Sequence, residues 1–225
     1  SHIHYDNQIN LLSRCLTSLL NQTKKINIHV SLSYNKRYKT KIDKKILQKF
    51  NNVSFMTHNK QLYQMEHIYE LTKIYASKYD LIMFCDDDDT YKNIRVEKML
   101  FIYDQCKDMI RCGVNELVES DKNIPEFWRY MIRSEILVDF FSRFKKKNQM
   151  MLLKHIYADM YLRIYLRKIN MSKNEKIDNY IAIPVTNKDD ELYQYNIDNK
   201  DSICATIMYR PISESMYNNM FLQIT

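Results

Sequence analysis

The sequence predicts an α/β fold in which a mainly parallel β-sheet is flanked by helices. Strand-like and helix-like segments alternate over the first 90 residues, as they do in chains built from repeated β-α units. Residues 81–85 are continuously apolar, which is typical of a strand that is buried on both faces. Four consecutive aspartates, Asp86, Asp87, Asp88 and Asp89, follow this strand directly. In open α/β sheets, ligands bind beyond the carboxyl ends of the strands, and the aspartates stand at such an end.

The predicted helices have apolar residues at spacings of three and four, so that one face of each helix is apolar. Asp6 or Asn7 can cap the first helix, and Ser134 can cap the fifth. In chain order, helices are predicted at residues 7–22, 41–50, 65–77, 93–109, 134–144 and 150–167.

The predicted strands are short, and their residues are either apolar throughout or alternate between apolar and polar. In chain order, strands are predicted at residues 3–5, 26–33, 53–56, 81–85, 127–132, 180–185 and 203–208. A length of 225 residues fits a single domain, and the sequence contains no internal repeat.

The composition, 45% apolar and 27% charged, is that of an ordinary globular protein. The five cysteines form no C-x-x-C pair, so neither a disulfide framework nor a zinc site is predicted, and a cytoplasmic location is expected. No apolar stretch approaches the roughly 18 to 20 residues that a membrane span requires, and no signal peptide is recognised. The single glycine, Gly113, excludes a P-loop and a glycine-rich dinucleotide-binding loop.

The formal net charge of +7 is compatible with nucleic acid, an acidic membrane surface or phosphate-bearing small molecules as partners. The basic residues are scattered, apart from residues 36–49 and 145–147. Charge alone therefore does not choose among these partners.

The acidic run needs a counter-charge, because carboxylates about 4 Å apart repel by roughly 1 to 4 kcal/mol. In an extended chain, Asp86 and Asp88 lie on one side and Asp87 and Asp89 on the other, so two carboxylates can hold one metal ion. Oxygen ligands suit Mg²⁺, Mn²⁺ or Ca²⁺, and magnesium or manganese commonly share their shell with substrate phosphates. The alternative is a solvated acidic turn that caps the following helix.

Two segments resemble the GT-A glycosyltransferases, in particular the family 2-like group. Residues 11–23, LLSRCLTSLLNQT, resemble the first helix of that family, and residues 79–91, YDLIMFCDDDDTY, resemble its strand and D-x-D motif. The resemblance implies a GT-A fold with a nucleotide-sugar-binding half at residues 1–110 and an acceptor-binding and catalytic half at residues 111–225. The low-glycine, lysine-rich composition is similar to that of glycosyltransferases of large DNA viruses, which would act in the host cytoplasm.

The resemblance implies a metal-dependent, inverting transfer of a sugar from a nucleotide-diphosphate-sugar donor to a glycan or glycoprotein acceptor. Asp86 and Asp88 would hold Mn²⁺ or Mg²⁺ against the donor diphosphate, with Asp89 near enough to help. Asp86 and Asp87 would also contact the donor, and Tyr5 would stack on its base. Ser33 stands near the place where relatives carry a base-binding aspartate. A UDP-sugar is the first expectation, with guanosine or thymidine left open.

The family's catalytic base lies on a helix roughly 70 residues beyond the D-x-D motif, and Asp159 occupies that place. The alternative is that Asp159 only pairs with Arg163 at i,i+4. Trp128 is the predicted acceptor-binding residue, because an indole ring can stack on a sugar face; the alternative is a core anchor. The family's arginine motif before the fourth strand is missing, and Gln64 and His67 lie there on what is predicted to be an ordinary helix.

Two rival hypotheses remain at the level of sequence. The acidic run and the basic excess could belong to a metal-dependent protein that processes or binds nucleic acid. The chain could also be a non-enzymatic module that keeps the fold without activity.

Overall fold

A computed structural model describes residues 1–106, 113–118, 127–144, 147–154, 158–171, 180–185 and 192–194. The strands in these ranges are β1 (His2–Ile3), β2 (His29–Tyr34), β3 (Ser54–His58), β4 (Leu81–Met83), β5 (Thr90–Tyr91), β6 (Gly113–Val118), β7 (Tyr130–Arg133), β8 (Tyr180–Val185) and β9 (Tyr193–Gln194). The α-helices are α1 (Asp6–Leu20), α2 (Lys39–Ile42), α3 (Gln64–Tyr75), α4 (Arg95–Cys106), α5 (Ser134–Ser142), α6 (Lys147–Leu152) and α7 (Asp159–Met171).

The first sheet contains β1, β2 and β3 in that order, and both of its strand pairs are parallel. Helices α1 and α2 pack against this sheet and bury a core in which Ile3, Leu32 and Ile42 are fully buried. Burial of such side chains is the main favourable contribution to folding, about 25 cal/mol for each Å² of apolar surface. The β-α alternation over the first half of the chain is confirmed.

The second sheet has the strand order β4-β7-β6-β8 and is mixed. Strand β7 is antiparallel to both β4 and β6, whereas β6 and β8 are parallel. A separate antiparallel pair joins β5 to β9, with Tyr91 opposite Tyr193. The predicted α/β fold is confirmed, and the parallel strands are concentrated in the first sheet. The pairing of β5 with β9 also places Tyr193 beside the segment that follows the aspartates.

The single glycine is required by the close approach of β6 to β7. Gly113 has φ +145°, and a Cβ atom on it would lie 1.8 Å from the carbonyl oxygen of Met131. Any other residue would push the two strands apart at the first position of β6.

The predicted helix at residues 150–167 was wrong as a single element. Helix α6 ends at Leu152, and α7 begins only at Asp159. The backbone N–H groups of Asp159 and Met160 lie near enough to the Asp159 carboxylate to lower its pKa in part. These N–H groups have no partner inside the helix, so an aspartate at this position favours a helix start.

Other boundaries also differ from the predictions. Helix α2 continues into a π-helical turn at Asp43–Leu47, and a 3₁₀ turn at Phe127–Arg129 precedes β7 where a longer strand was predicted. The strand predicted at residues 203–208 lies outside the described residues. Among the helices that the structure describes, none is both long and apolar enough to cross a membrane.

Candidate functional site

The four aspartates form a tight turn after β4. The backbone N–H of Asp89 donates to the carbonyl oxygen of Asp86 at 3.2 Å, which closes the turn across its two ends. The extended conformation predicted for these residues is therefore wrong, and with it the alternation that placed Asp86 and Asp88 on one side. We refer to Asp86, Asp87, Asp88 and Asp89 as the acidic turn.

A tyrosine from β9 holds both ends of the acidic turn. The phenol of Tyr193 donates a hydrogen bond to Oδ2 of Asp89 at 2.6 Å, and the backbone N–H of Asp86 donates to the phenol oxygen at 3.1 Å. Tyr193 is fully buried and Asp89 is 1% exposed. Burial raises the pKa of the Tyr193 phenol well above its usual value, so the group stays protonated and can donate.

The carboxylate of Asp86 lies in an unfavourable electrostatic environment. Burial raises its pKa well above the usual value, and the negative charges of Asp89, Asp88 and Asp87 raise that pKa further, in this order of effect. Gln64 opposes the shift, because its Nε2 donates to Oδ1 of Asp86 at 2.9 Å. A bound cation would reverse the balance, since it would favour the charged form of the carboxylate.

The two middle aspartates have other contacts. Arg14 on α1 donates from a terminal guanidinium nitrogen to the backbone carbonyl of Asp88 at 2.6 Å. The hydroxyl of Ser1 donates to the carboxylate of Asp87. The metal-ligand roles of Asp86, Asp88 and Asp89, and the donor contacts of Asp86 and Asp87, stay predictions.

The part of the chain that the structure describes contains no group of three or more histidine, cysteine or acidic side chains arranged to hold a metal ion. A metal ion at the acidic turn therefore stays a prediction.

A buried ion pair supports the acidic turn through its contacts with Tyr193. Arg95 and Glu116 are both fully buried, and Nε of Arg95 donates to Oε2 of Glu116 at 2.8 Å. Oε1 of Glu116 accepts the backbone N–H groups of Leu192 at 2.7 Å and Tyr193 at 3.2 Å. The guanidinium carbon of Arg95 also lies 4.9 Å from the centroid of the Tyr193 ring. The pair thereby fixes both the main chain and the ring of Tyr193.

Ser33 lies inside a second buried polar cluster. Its hydroxyl is 2.6 Å from Nδ1 of His2 and 3.1 Å from Nε2 of His67, while the hydroxyl of Ser31 is 2.7 Å from Nδ1 of His67 and 2.7 Å from Nε2 of His58. We call these five residues the histidine-serine network. Ser33 is fully buried, and its contact with the donor base stays a prediction.

The imidazoles of the histidine-serine network are neutral near pH 7. Burial lowers the pKa of His67 to about 2, and it lowers the pKa of His2 to about 4. The pKa of His58 is also lowered by burial. Neutral rings and hydroxyl groups can satisfy one another without any added charge.

Tyr5 directly precedes α1 and is partly buried. Its backbone N–H donates to Oε1 of Gln8 at 3.3 Å, and the N–H of His4 donates to the same oxygen at 2.6 Å. Gln8 therefore caps the start of this helix in place of the predicted Asp6 or Asn7. Stacking of Tyr5 on a nucleotide base stays a prediction.

Asp159, the predicted catalytic base, stands at the first position of α7. Burial raises the pKa of its carboxyl, while the charge of Arg163 and the two backbone N–H groups lower it in part. The flanking residues Ala158 and Tyr161 belong to the same hydrophobic core as Tyr193.

Trp128 is 8% exposed and belongs to this same core. Its ring centroid is 6.3 Å from that of Tyr193, and its backbone carbonyl accepts a hydrogen bond from Arg95 at 3.0 Å. These contacts are those of a core anchor. The acceptor-binding role of Trp128 stays a prediction.

Several residues of the site were missed at the level of sequence. Tyr193 and Glu116 carry no local signal, because their partners are distant along the chain; Asp86 and Tyr193 are separated by 107 residues. Gln64 was assigned to an ordinary helix, although it fills the position of the missing arginine motif. An amide at the first position of α3, close to an acidic run, was the one available indication of its contact with Asp86.

No protein-family model matches the chain, and no curated protein matches it in sequence. Its fold matches a crystal structure of S. aureus TarS with a TM-score of 0.52 and 13% identity, over 99% of this chain and 41% of the TarS chain. A crystal structure of S. aureus TarS 1-349 matches with a TM-score of 0.50 and 12% identity, over 99% of this chain and 69% of the other. The chain thus spans less than half of the longer TarS structure. At such low identity the similarity concerns the fold, and the chain has the α/β fold of the GT-A glycosyltransferases.

Proposed function

We propose that the chain is a glycosyltransferase that moves a sugar from a nucleotide-diphosphate-sugar to a glycan or glycoprotein acceptor. A UDP-sugar is the first donor to test. The observation that carries this proposal is the acidic turn, which begins three residues after the end of β4 in a chain with the GT-A fold. Residues 1–110 would bind the donor, and residues 111–225 would bind the acceptor and supply the base.

The acidic turn is suited to hold Mn²⁺ or Mg²⁺. Asp86 is a partly buried carboxylate whose acidic neighbours in the turn are also negative, so a divalent cation would relieve the cost of its ionisation. Asp88 and Asp89 are the candidate partners of Asp86 in this role. When bound, the ion would stabilise the negative charge that develops on the departing diphosphate.

Asp159 is suited to act as the general base. A carboxylate whose pKa is raised by burial is a stronger base than a solvated one, and burial raises the pKa of Asp159. Asp159 would take the proton of the acceptor hydroxyl as that hydroxyl attacks the anomeric carbon opposite the diphosphate. Attack from this side inverts the configuration of the sugar.

The proposal is tested by thermal-shift measurements with UDP, GDP and TDP and with their sugars, each with and without Mn²⁺. A ligand that binds only the folded state raises Tm, so the correct nucleotide should raise it when Mn²⁺ is present and much less when it is chelated. The same donors are then assayed for hydrolysis and for transfer to simple glycans. The same measurements are made on Asp86→Asn, which changes the acidic turn. Asp104→Asn, which changes an exposed aspartate on α4, is the matched control.

The proposal would be overturned if no nucleotide or nucleotide-sugar raised Tm and none was hydrolysed with either metal. Tight binding to DNA that weakens steeply with salt would then favour a nucleic-acid partner instead.

A further inference from the structure

The shape of the acidic turn depends on a side chain that lies far away in the sequence. One phenol hydroxyl, that of Tyr193, contacts both ends of the turn: it accepts the backbone N–H of Asp86 and donates to the carboxylate of Asp89. A hydroxyl group has one proton to donate and lone pairs to accept, so these two contacts use it in both ways. The contact therefore sets the position of Asp86 and the rotamer of Asp89 together.

Tyr193 is itself held in one orientation. Its backbone N–H and that of Leu192 are bound by Glu116, whose other oxygen is bound by Arg95. The Arg95 guanidinium contacts two rings, with its carbon 4.1 Å from the centroid of Tyr91 and 4.9 Å from that of Tyr193. Arg95, Glu116 and Tyr193 are all fully buried, so the phenol cannot move without disturbing this pair.

We propose that Tyr193 is a positioning residue for the acidic turn, and that its hydroxyl prepares Asp86 and Asp89 to bind a divalent cation. This inference rests on the proposed function, because it assumes that the acidic turn is the cation site. Groups that hold metal-binding carboxylates by hydrogen bonds commonly change metal affinity by about 10- to 100-fold when they are removed. Tyr193 supplies such a bond from β9 and not from the motif itself.

The ion pair of Arg95 and Glu116 acts on the acidic turn indirectly, because it holds Tyr193. Without it, the main chain of β9 would lose the acceptor of two N–H groups, and the phenol would lose its fixed distance from the turn. Because both charges are fully buried, removal of either one would leave the other uncompensated and would disturb folding. The hydroxyl of Tyr193 is therefore the group that can be removed while the buried ion pair stays intact.

The test compares wild type with Tyr193→Phe, which removes the hydroxyl and keeps the ring. The affinity for Mn²⁺ is measured in the presence of UDP by the electron paramagnetic resonance signal of free Mn²⁺, and Tm is measured in EDTA. Tyr193→Phe should bind Mn²⁺ about 10- to 100-fold more weakly, while Tm falls by only about 2 to 4 °C. Tyr165→Phe is the matched control, because Tyr165 is 2% exposed and its hydroxyl donates to Asp139 instead.

The outcomes separate this inference from the function on which it rests. Wild type that binds no Mn²⁺ would overturn the proposed function and this inference with it. Wild-type affinity in Tyr193→Phe would overturn the positioning role alone and leave the proposed function intact. An equal loss of affinity in Tyr165→Phe would also overturn the positioning role, because the effect would then come from general packing.

A double-mutant cycle provides a second readout that does not depend on the size of any stability loss. If the hydroxyl acts through Asp89, its removal should weaken Mn²⁺ binding much less in the Asp89→Asn background than in wild type. Equal losses in both backgrounds would mean that the hydroxyl acts independently of Asp89 and would overturn its positioning role toward that residue.

Discussion

The acidic turn and the histidine-serine network are both partly buried clusters of polar side chains at or near strand ends, yet they differ in their electrostatics. In the network, both ring nitrogens of His67 face serine hydroxyls, and the rings are neutral. In the acidic turn, the negative charges of the other aspartates raise the pKa of Asp86 further. The network pairs neutral groups with one another, whereas the turn concentrates negative charge that a cation would offset.

The same difference gives the two clusters opposite responses to pH. The folded pKa of Asp86 is raised, so its contribution favours the folded state at low pH and is lost as pH rises through that pKa. The folded pKa of His67 is lowered from 6.5 to about 2, so its contribution is present above pH 6.5 and is lost as pH falls below that value. The pH dependence of stability therefore distinguishes the acidic turn from the histidine-serine network.

The greatest predicted change is in the rate of sugar transfer, with donor binding retained. Asp159→Asn should retain Mn²⁺-dependent binding of the donor and lose sugar transfer by about 10² to 10⁴-fold, the usual contribution of a general base. Steady-state transfer rates and calorimetric binding of the nucleotide check both parts. Transfer within a few-fold of wild type would place the base at another residue.

The second effect concerns the acidic turn itself. Asp86→Asn should weaken Mn²⁺-dependent binding of UDP by about 10- to 100-fold, because a charge-assisted contact worth about 1.5 to 3 kcal/mol is lost. Isothermal titration calorimetry in Mn²⁺ and in EDTA checks this result. Unchanged Mn²⁺-dependent affinity would show that Asp86 does not bind the cation, and the acidic turn would then no longer differ from the histidine-serine network as a ligand site.

The third prediction concerns the stability that the acidic turn costs the protein when no ion is bound. In EDTA near neutral pH, Asp86→Asn should be more stable than wild type, because it removes a partly buried negative charge among other negative charges. The advantage should shrink as pH falls and the wild-type carboxyl takes up its proton. Thermal unfolding across a pH series checks this trend, and Asp104→Asn serves as the control. A destabilised Asp86→Asn variant at neutral pH would contradict the electrostatic account.

The smallest effect concerns the histidine-serine network. Below pH 6.5 the unfolded chain gains a proton at His67 that the folded chain does not, which costs about 1.4 kcal/mol of stability for each pH unit. His67→Gln should remove this part of the slope between about pH 6 and pH 4, and its donor binding at pH 7.5 should stay close to that of wild type. Denaturant unfolding at several pH values checks the slope. Equal slopes in the two proteins would show that His67 is not a buried neutral group.

The sequence predicted those parts of the fold that depend on local pattern. The parallel β-α units of the first half follow from apolar spacing, and the place of the acidic cluster after a strand follows from four adjacent aspartates, whereas its turn conformation was not predicted. The break before α7 was missed because residues 150–167 keep helical apolar spacing through it, while the carboxylate of Asp159 favours a new helix start. Local spacing reports which face is buried, and it does not report where the backbone hydrogen bonds stop.

The support of the acidic turn could not be predicted from one sequence. Tyr193 is one of 18 tyrosines, and nothing near it indicates a contact with an aspartate 107 residues earlier. Glu116 and Arg95 are likewise charged residues that the sequence suggests are exposed, and only the fold shows that they are fully buried as a pair. Contacts of this kind are set by strand pairing, here that of β5 with β9.

The most direct test of the central claim is anomalous X-ray diffraction from crystals of the chain grown with Mn²⁺ and UDP. The account predicts a manganese peak within about 2 to 2.5 Å of a carboxylate oxygen of Asp86, beside the diphosphate of the bound nucleotide. Bound UDP with no manganese peak at the acidic turn would contradict it.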